Sequence, residues 1–382
     1  MTLKPMIRNN ICINCQPEGC KKNIEKQIQF VKDYNKLHKS KVKFKNVLVI
    51  GCSNGYGLAT RVVASFGCGA RTIGVSLERA SSEKKTGTPG WYHNRAFEQI
   101  AKETGKNHIT IEGDAFSNEI KREVIEEAKK HGIKFDLIVY SIASPLRKDA
   151  KTCEVYKSVI KPIKTPFNAK TLNIVTGAIE DVYIPVANEK EISDTIKVMG
   201  GEDWENWLCL LKDENLLSKN IITFSYSYIG SSLQATIYKD GTIGQAKKDL
   251  ERSAKYLNET LKSLNGKAFL CVMKGIVTRS SAIIPSLPLY LSCLLKVMKK
   301  RNCYSEAIED VVKLFYEKLD FECLDNLLSS DGFLHCNGKE LNEDVQREVK
   351  LVMDEIIKSG NVSLADIEGY RKAFLEASGF EI

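Results

Sequence analysis

The sequence predicts an α/β chain: a Rossmann-type doubly wound parallel sheet, with an inserted substrate-binding region and a helical C-terminal part. Three observations carry this. Between residues 45 and 140, short β-branched apolar runs alternate with apolar-periodic stretches, the pattern of strands joined by crossover helices. The first run ends in a glycine-rich turn, Gly51-Cys52-Ser53-Asn54-Gly55-Tyr56-Gly57, which opens onto a helical pattern. Far downstream, Tyr238 and Lys247 stand nine positions apart where a strand gives way to a second long helix.

Taken in order, residues 1–45 are polar and basic, with a helix expected over about 22–37, and form an N-terminal segment packed on the core. Strands are expected at 45–50, 71–77, 108–113 and 135–140, with helices at 58–66, 95–104 and 119–131 between them. These make residues 46–145 the first half of a dinucleotide-binding domain. From 146 to 220 the alternation weakens around Pro162, Pro166, Gly177 and Gly200-Gly201, which reads as an insertion beside the site. The pattern returns over 221–290 with strands at 221–226 and 267–273 around a helix at 242–264, and 291–382 reads as helical.

Composition narrows the class. A 382-residue chain with 43% hydrophobic and 27% charged residues can build a sizeable core and is an ordinary globular protein. Its net charge of +8 suits an anionic, phosphate-bearing substrate, and no basic block interleaved with aromatics points to nucleic acid. Twelve cysteines without an apolar N-terminal signal fit a reducing, cytoplasmic setting. The charge-free stretch 280–295 contains Pro285 and Pro288 and is shorter than the ~20 residues a membrane span needs. It reads as buried or substrate-facing.

The chemistry gathers at a few positions. Gly51, Gly55 and Gly57 let the backbone approach a pyrophosphate at a helix N-terminus. Glu78 ends the second strand, where a carboxylate accepts ribose hydroxyls and repels a 2′-phosphate, favouring NADH; the plainer reading is a solvated loop acid beside Arg79. Asp114 ends the third strand and is either an adenine contact or a helix N-cap. On one continuous helix Tyr238 and Lys247 would face opposite sides, but Asp240-Gly241 interrupts. Tyr238 then sits on the approach loop and Lys247 in the second helical turn, with Lys248 a competing ammonium. The phenol is a proton donor, and the ammonium would lower its pKa and hold a cofactor ribose. Tyr226 and Tyr228 share a face by alternation, as walls or as contacts to a substrate carbonyl. Gly275-Ile276-Val277-Thr278, after the last core strand, can hold a nicotinamide amide. Cys12-x-x-Cys15 with Cys20 lacks a fourth zinc ligand, so no metal is expected. No hydrolase triad stands out.

These residues resemble one family closely. The runs Lys4-Pro-Met-Ile-Arg-Asn-Asn-Ile-Cys12, Val47–Gly57, Gly113-Asp-Ala-Phe116, Val198-Met-Gly-Gly-Glu-Asp-Trp204, Ser227-Tyr-Ile-Gly230 and Tyr238-x8-Lys247 look like the trans-2-enoyl-CoA reductase and FabV-type enoyl-acyl-carrier-protein reductase family. The distinguishing motif is Tyr-x8-Lys, where ordinary short-chain dehydrogenases use Tyr-x3-Lys. The resemblance implies NADH-dependent reduction of the trans-2 double bond of an enoyl thioester, carried by coenzyme A or acyl carrier protein. It implies Tyr238 as proton donor, Lys247 as an NADH contact and Tyr228 as a substrate contact. Gly51, Cys52, Ser53, Asn54, Gly55, Tyr56, Leu77, Glu78, Asp114, Ala115, Ile142, Ala143, Ile276, Val277 and Thr278 would line the cofactor. It also points to a monomer. A short-chain carbonyl reductase and a non-catalytic NAD sensor are the alternatives.

Overall fold

The computed structural model describes residues 3–8, 10–38 and 42–382. Residues 1, 2, 9 and 39–41 of the N-terminal segment, including Asn9 of the first family run, lie outside the described residues.

Seven strands form one parallel sheet: β1 (Asn46–Ile50), β2 (Arg71–Ser76), β3 (His108–Glu112), β4 (Phe135–Tyr140), β5 (Leu217–Ser227), β6 (Lys267–Met273) and β7 (Phe333–Cys336). Their order is 3-2-1-4-5-6-7, so the chain reverses direction across the sheet between β1 and β4. That reversal opens a crevice at the strand C-termini, where doubly wound folds bind nucleotides. Val47, Leu48, Val49 and Ile50 are fully buried, which explains why β1 reads as a continuous apolar run and not as an alternating one.

Helices cover both faces. α1 (Pro17–Leu37), α2 (Gly55–Val62), α3 (Pro89–Glu103) and α9 (Ala307–Lys313) pack on one side through Ile24, Leu58, Phe97 and Val311. α4 (Asn118–Lys130), α6 (Glu202–Asp213) and α7 (Thr242–Leu261) pack on the other through Val124, Trp204, Trp207 and Leu257. A third cluster joins α8 (Leu287–Lys300), α10 (Glu343–Ser359) and α11 (Ile367–Glu376). α8 includes much of the charge-free 280–295 stretch, and Leu289, Tyr290, Leu291 and Cys293 are buried in it.

The differences from the sequence reading have local causes. α1 starts at Pro17, five residues before the expected 22, because Pro17 occupies the first helical turn and Cys20 joins the buried stripe. β5 starts at Leu217, not 221, because the ladder shifts register between Leu217 and Ile222. Lys219 and Asn220 are exposed there and Asn220 has φ +62°, so the apolar pattern is broken. The stretch 291–382 is not purely helical: β7 pairs with β6 over Leu270–Met273, so β6 is not the sheet edge. Residues 146–220 hold two antiparallel hairpins, Leu146–Lys148 with Val155–Lys157 and Phe167–Leu172 with Ile179–Ile184, followed by α5 (Glu189–Met199) and α6. No described helix is long and apolar enough to cross a membrane.

Candidate active site

β1 runs directly into the glycine turn. Gly51 has φ +92°, a value glycine adopts without strain, and a Cβ there would lie 2.1 Å from the Ser141 carbonyl oxygen. The amides of Gly51 and Cys52 both donate to the Val75 carbonyl, at 2.8 and 3.1 Å. Gly57, in the first turn of α2, sits under Gly51: a Cβ would come within 1.9 Å of its carbonyl oxygen. The close helix–turn approach therefore excludes any side chain and brings the glycine turn against the start of α2, the arrangement in which helix N-terminal amides can hold a phosphate. Gly57→Ala should weaken NADH binding by more than about tenfold, because the turn must move away from the helix N-terminus; fluorescence titration with NADH checks this.

Two further contacts fix the turn. The Tyr56 hydroxyl donates to the Lys274 carbonyl (3.1 Å) and lies 3.4 Å from Asp310 Oδ2. His93 is buried, its Nδ1 lies 3.0 Å from the Ser53 carbonyl oxygen, and burial holds it down to about 4, so the neutral ring donates that bond at physiological pH.

Glu78 stands just beyond β2 and is enclosed by donors. Its Oε1 accepts from Ser53 Oγ at 2.6 Å and Asn54 Nδ2 at 3.1 Å, and its Oε2 from Thr88 Oγ1. A Cβ on Gly90 would lie 2.1 Å from Oε1, so the carboxylate is backed by α3. This is a built acidic site, not a solvated loop acid. Leu77 beside it is 71% exposed. The loop behind is braced by Cys15, whose thiol donates to the Gly87 carbonyl at 3.1 Å and whose amide meets Thr86 Oγ1 at 3.3 Å. The Cys12–Cys20 region therefore supports the Glu78 wall from below. Glu78→Gln should raise kcat/KM with NADPH by about tenfold or more, since like charges placed together cost a few kcal/mol; initial rates with both cofactors measure it.

Asp114 is not the N-cap of α4; Ser117 is, accepting from the Ile120 amide at 3.2 Å. Asp114 Oδ1 instead accepts from the Phe116 amide at 3.0 Å, closing its own turn. Lys121 Nζ donates to the Ala115 and Phe116 carbonyls at 2.8 and 3.1 Å and to Asp203 at 2.7 Å. The Tyr140 hydroxyl (3.1 Å) completes the Asp203 site, so the Asp114–Ala115 turn rests on a buried ion pair anchored in the insertion helix α6. Ile142 and Ala143 follow β4, and Ile142 Cδ1 reaches to 3.4 Å of where a Gly51 Cβ would be.

The two tyrosines meet on the other side of the crevice. Tyr228 and Tyr238 pack edge to face with ring centroids 5.2 Å apart. Tyr238 lies in the turn before α7, clustered with Phe167, Ile237 and Ile243, so the 167–184 hairpin covers it. Its ring is buried, and its hydroxyl, which is not sealed from solvent, has no hydrogen-bond partner among the described residues. Gly241, the N-cap of α7, is held to Lys161, since a Cβ would lie 2.7 Å from that carbonyl. Gly244 packs on the Tyr238–Lys239 backbone, 1.8 Å from the Lys239 carbonyl for a built Cβ. Lys247, three residues on, shares that helix face. It is half-buried, lacks an ion-pair partner among the described residues, and burial lowers it to about 8; Lys248 is exposed. Burial first, then the Glu340 charge, hold the Tyr238 phenol above its ordinary value. The lowering by Lys247 expected from the sequence is thus not what sets it.

Tyr226 does not share this site. Its hydroxyl pairs with Thr60 Oγ1 at 2.6 Å in the core near Tyr56 and Phe224. Tyr228 is one residue past β5, where the chain has turned away from alternation. Its hydroxyl donates to Glu340 Oε1 at 2.8 Å, a partner no motif signalled. The 275–278 loop closes the crevice: Thr278 Cγ2 would lie 3.7 Å from a Cβ on Gly55, and its Oγ1 accepts from the Ser281 amide at 3.0 Å.

Comparison with known proteins follows the same outline. Residues 2–83 match a model described as the NAD(P)H binding domain of trans-2-enoyl-CoA reductase, and 85–320 the trans-2-enoyl-CoA reductase catalytic region. Residues 328–382 match a model described as an enoyl reductase FAD binding domain. The residues of that last segment do not fit a flavin: β7 is followed by a turn carrying buried Glu340, and Val349, Ile356, Tyr370 and Phe374 are packed into α8. The trans-2-enoyl-CoA reductase [NADH] of Treponema denticola is 49% identical, covering 100% of this chain and 96% of that one. The enoyl-[acyl-carrier-protein] reductase [NADH] of Idiomarina loihiensis is 43% identical over 100% and 96%. The crystal structure of the Treponema denticola enzyme in complex with NAD superposes with a TM-score of 0.95 at 48% identity, over 100% and 96% of the two chains. That of Clostridium acetobutulicum trans-2-enoyl-CoA reductase with NADH gives 0.92 at 38%, over 100% and 95%. Identity at this level over the whole chain, together with the shared fold, places this chain in the trans-2-enoyl-CoA reductase family.

Proposed function

We propose that this protein reduces the trans-2 double bond of an enoyl thioester with NADH, giving the saturated acyl thioester. The observation that carries the reading is Tyr238: a phenol buried at its ring, unpartnered at its hydroxyl, across a crevice from a glycine cradle and an acidic ribose site. When bound, NADH supplies the hydride delivered to Cβ. The chain's own residues do the rest. Gly51, Cys52, Ser53, Asn54, Gly55 and Tyr56 cradle the pyrophosphate, and Glu78 accepts the adenosine ribose hydroxyls. Asp114, Ala115, Ile142, Ala143 and Leu77 would border the adenosine half. Ile276, Val277 and Thr278 hold the carboxamide, and Lys247 donates to the nicotinamide ribose. Tyr228 walls the acyl end beside Tyr238. Tyr238 hydrogen-bonds the thioester oxygen as it becomes an enolate; its proton then passes to Cα as the carbonyl reforms, giving the saturated thioester, and solvent reprotonates the phenol.

The acyl group rides on coenzyme A or acyl carrier protein, and the net charge of +8 suits the phosphates of either. We place the protein in the cytoplasm as a monomer, a reading that twelve cysteines outside any disulfide support as to compartment. The test is NADH oxidation with crotonyl-CoA, run beside NADPH and beside acetoacetyl-CoA. NADH-specific turnover of the enoyl thioester is expected. Turnover of the keto thioester alone would make the protein a carbonyl reductase, and NADH binding with no turnover of either would make it a sensor.

A further inference from the structure

Glu340 is fully buried at the edge of the tyrosine pair. Its Oε1 accepts from the Tyr228 hydroxyl at 2.8 Å and the Tyr290 hydroxyl at 2.9 Å, and its Oε2 from the Gly275 amide at 2.6 Å. Gln346 Nε2 holds the same residue by its backbone carbonyl at 2.6 Å and meets the Tyr290 oxygen at 3.0 Å. Burial pushes the Glu340 carboxyl up; the Gly275 amide, the two phenols and the Lys274 ammonium pull it back down. A carboxylate only accepts, and a phenol has one proton to donate. Tyr228 therefore commits its proton to Glu340 and turns only lone pairs to the crevice. Tyr238, its ring 5.2 Å away, has no such acceptor.

We propose that Glu340 is a positioning residue that assigns the roles of the two tyrosines: by accepting the Tyr228 proton it leaves Tyr238 as the sole phenolic donor to the substrate. The proposal rests on the reading above, in which Tyr238 is the acid.

Glu340→Gln reverses the bond while keeping the shape. The Gly275 amide can only donate, so the glutamine oxygen must take the Oε2 place, which puts the NH2 group where Oε1 was. That group donates to the Tyr228 oxygen and releases the Tyr228 proton to the crevice. The experiment compares Tyr238→Phe with the double variant Tyr238→Phe/Glu340→Gln, using crotonyl-CoA turnover, NADH titration and thermal melting. The double variant is expected to be about tenfold or more faster in kcat than Tyr238→Phe alone, because a second general acid has become available. Equal or lower kcat in the folded double variant overturns the proposal and leaves the Tyr238 assignment standing. Near-native turnover by Tyr238→Phe alone overturns the assignment itself. Should Glu340→Gln not fold, Tyr228→Phe is added to Tyr238→Phe instead. The loss should then appear in KM, whereas a further kcat drop of about tenfold would mean that Tyr228 already donates beside Glu340, and would overturn the proposal.

Discussion

Tyr238→Phe should lower kcat for crotonyl-CoA by about 10²–10³-fold while leaving NADH affinity within about twofold, the range lost when a positioned general acid is removed. The ring carries the packing: it meets the Tyr228 edge and lies in one apolar cluster with Phe167, Ile237 and Ile243, so phenylalanine fills the same space. Only the hydroxyl is lost, and it has no structural partner among the described residues to leave unsatisfied. Stability should therefore stay nearly unchanged. Because burial and the Glu340 charge keep the phenol above its ordinary value, it is neutral and holds its proton throughout the working pH range. Steady-state kinetics with a thermal melt as control measures both halves; near-native turnover would remove Tyr238 from the mechanism.

Lys247→Met should weaken NADH binding by about tenfold to a hundredfold, the value of one hydrogen bond from a charged group, and Lys248→Met by less than about twofold. Lys247 is half-buried on the face of α7 that meets the Tyr238 turn, while Lys248 is exposed. Equal effects would overturn the assignment. Burial lowers Lys247 from its ordinary 10.5 to about 8, so the free protein carries an ammonium below that pH and a neutral amine above it. NADH affinity should then decline as pH rises through about 8, and the decline should vanish in Lys247→Met. Stability moves in the opposite direction with pH: the folded value is depressed, so the cost of burying the ammonium is present at neutral pH and is relieved as pH rises between about 8 and 10.5. Lys247→Met should accordingly melt no lower than the parent at pH 7, which differential scanning calorimetry at pH 7 and pH 10 would show.

How much was legible follows from what each signal is made of. The glycine turn was readable because the backbone geometry demands glycine locally: φ +92° at Gly51 and the 1.9 Å approach at Gly57 admit no side chain. β1, β2 and β4 were readable because burial on both faces forces apolar runs, and the edge strand β3 because Ile109 and Ile111 alternate with polar residues. Glu78 was readable as the residue after a strand, but its enclosure by Ser53, Asn54 and Thr88 was not, since Thr88 comes from a loop whose Pro and Gly look like plain turn residues. β5 was misplaced by a few residues because the register shift at Leu217–Ile222 exposes polar side chains inside a strand. β7 was missed because four residues at a sheet edge, only two of them buried, carry no pattern distinguishable from a loop.

The sequence by itself determined the doubly wound sheet, the dinucleotide turn, the strand-end acid and the break at Asp240-Gly241 that sets Tyr238 on the turn before α7 and Lys247 in its second turn. Each depends on neighbours close in the chain, where spacing and conformational preference act directly. Only the tertiary structure decided that Tyr226 belongs to the core, that burial raises the Tyr238 phenol, and that Glu340 holds Tyr228. Glu340 is 112 residues from Tyr228 and 65 from Gly275. A carboxylate's environment is set by the groups packed around it, and when those arrive from distant elements no local pattern records them.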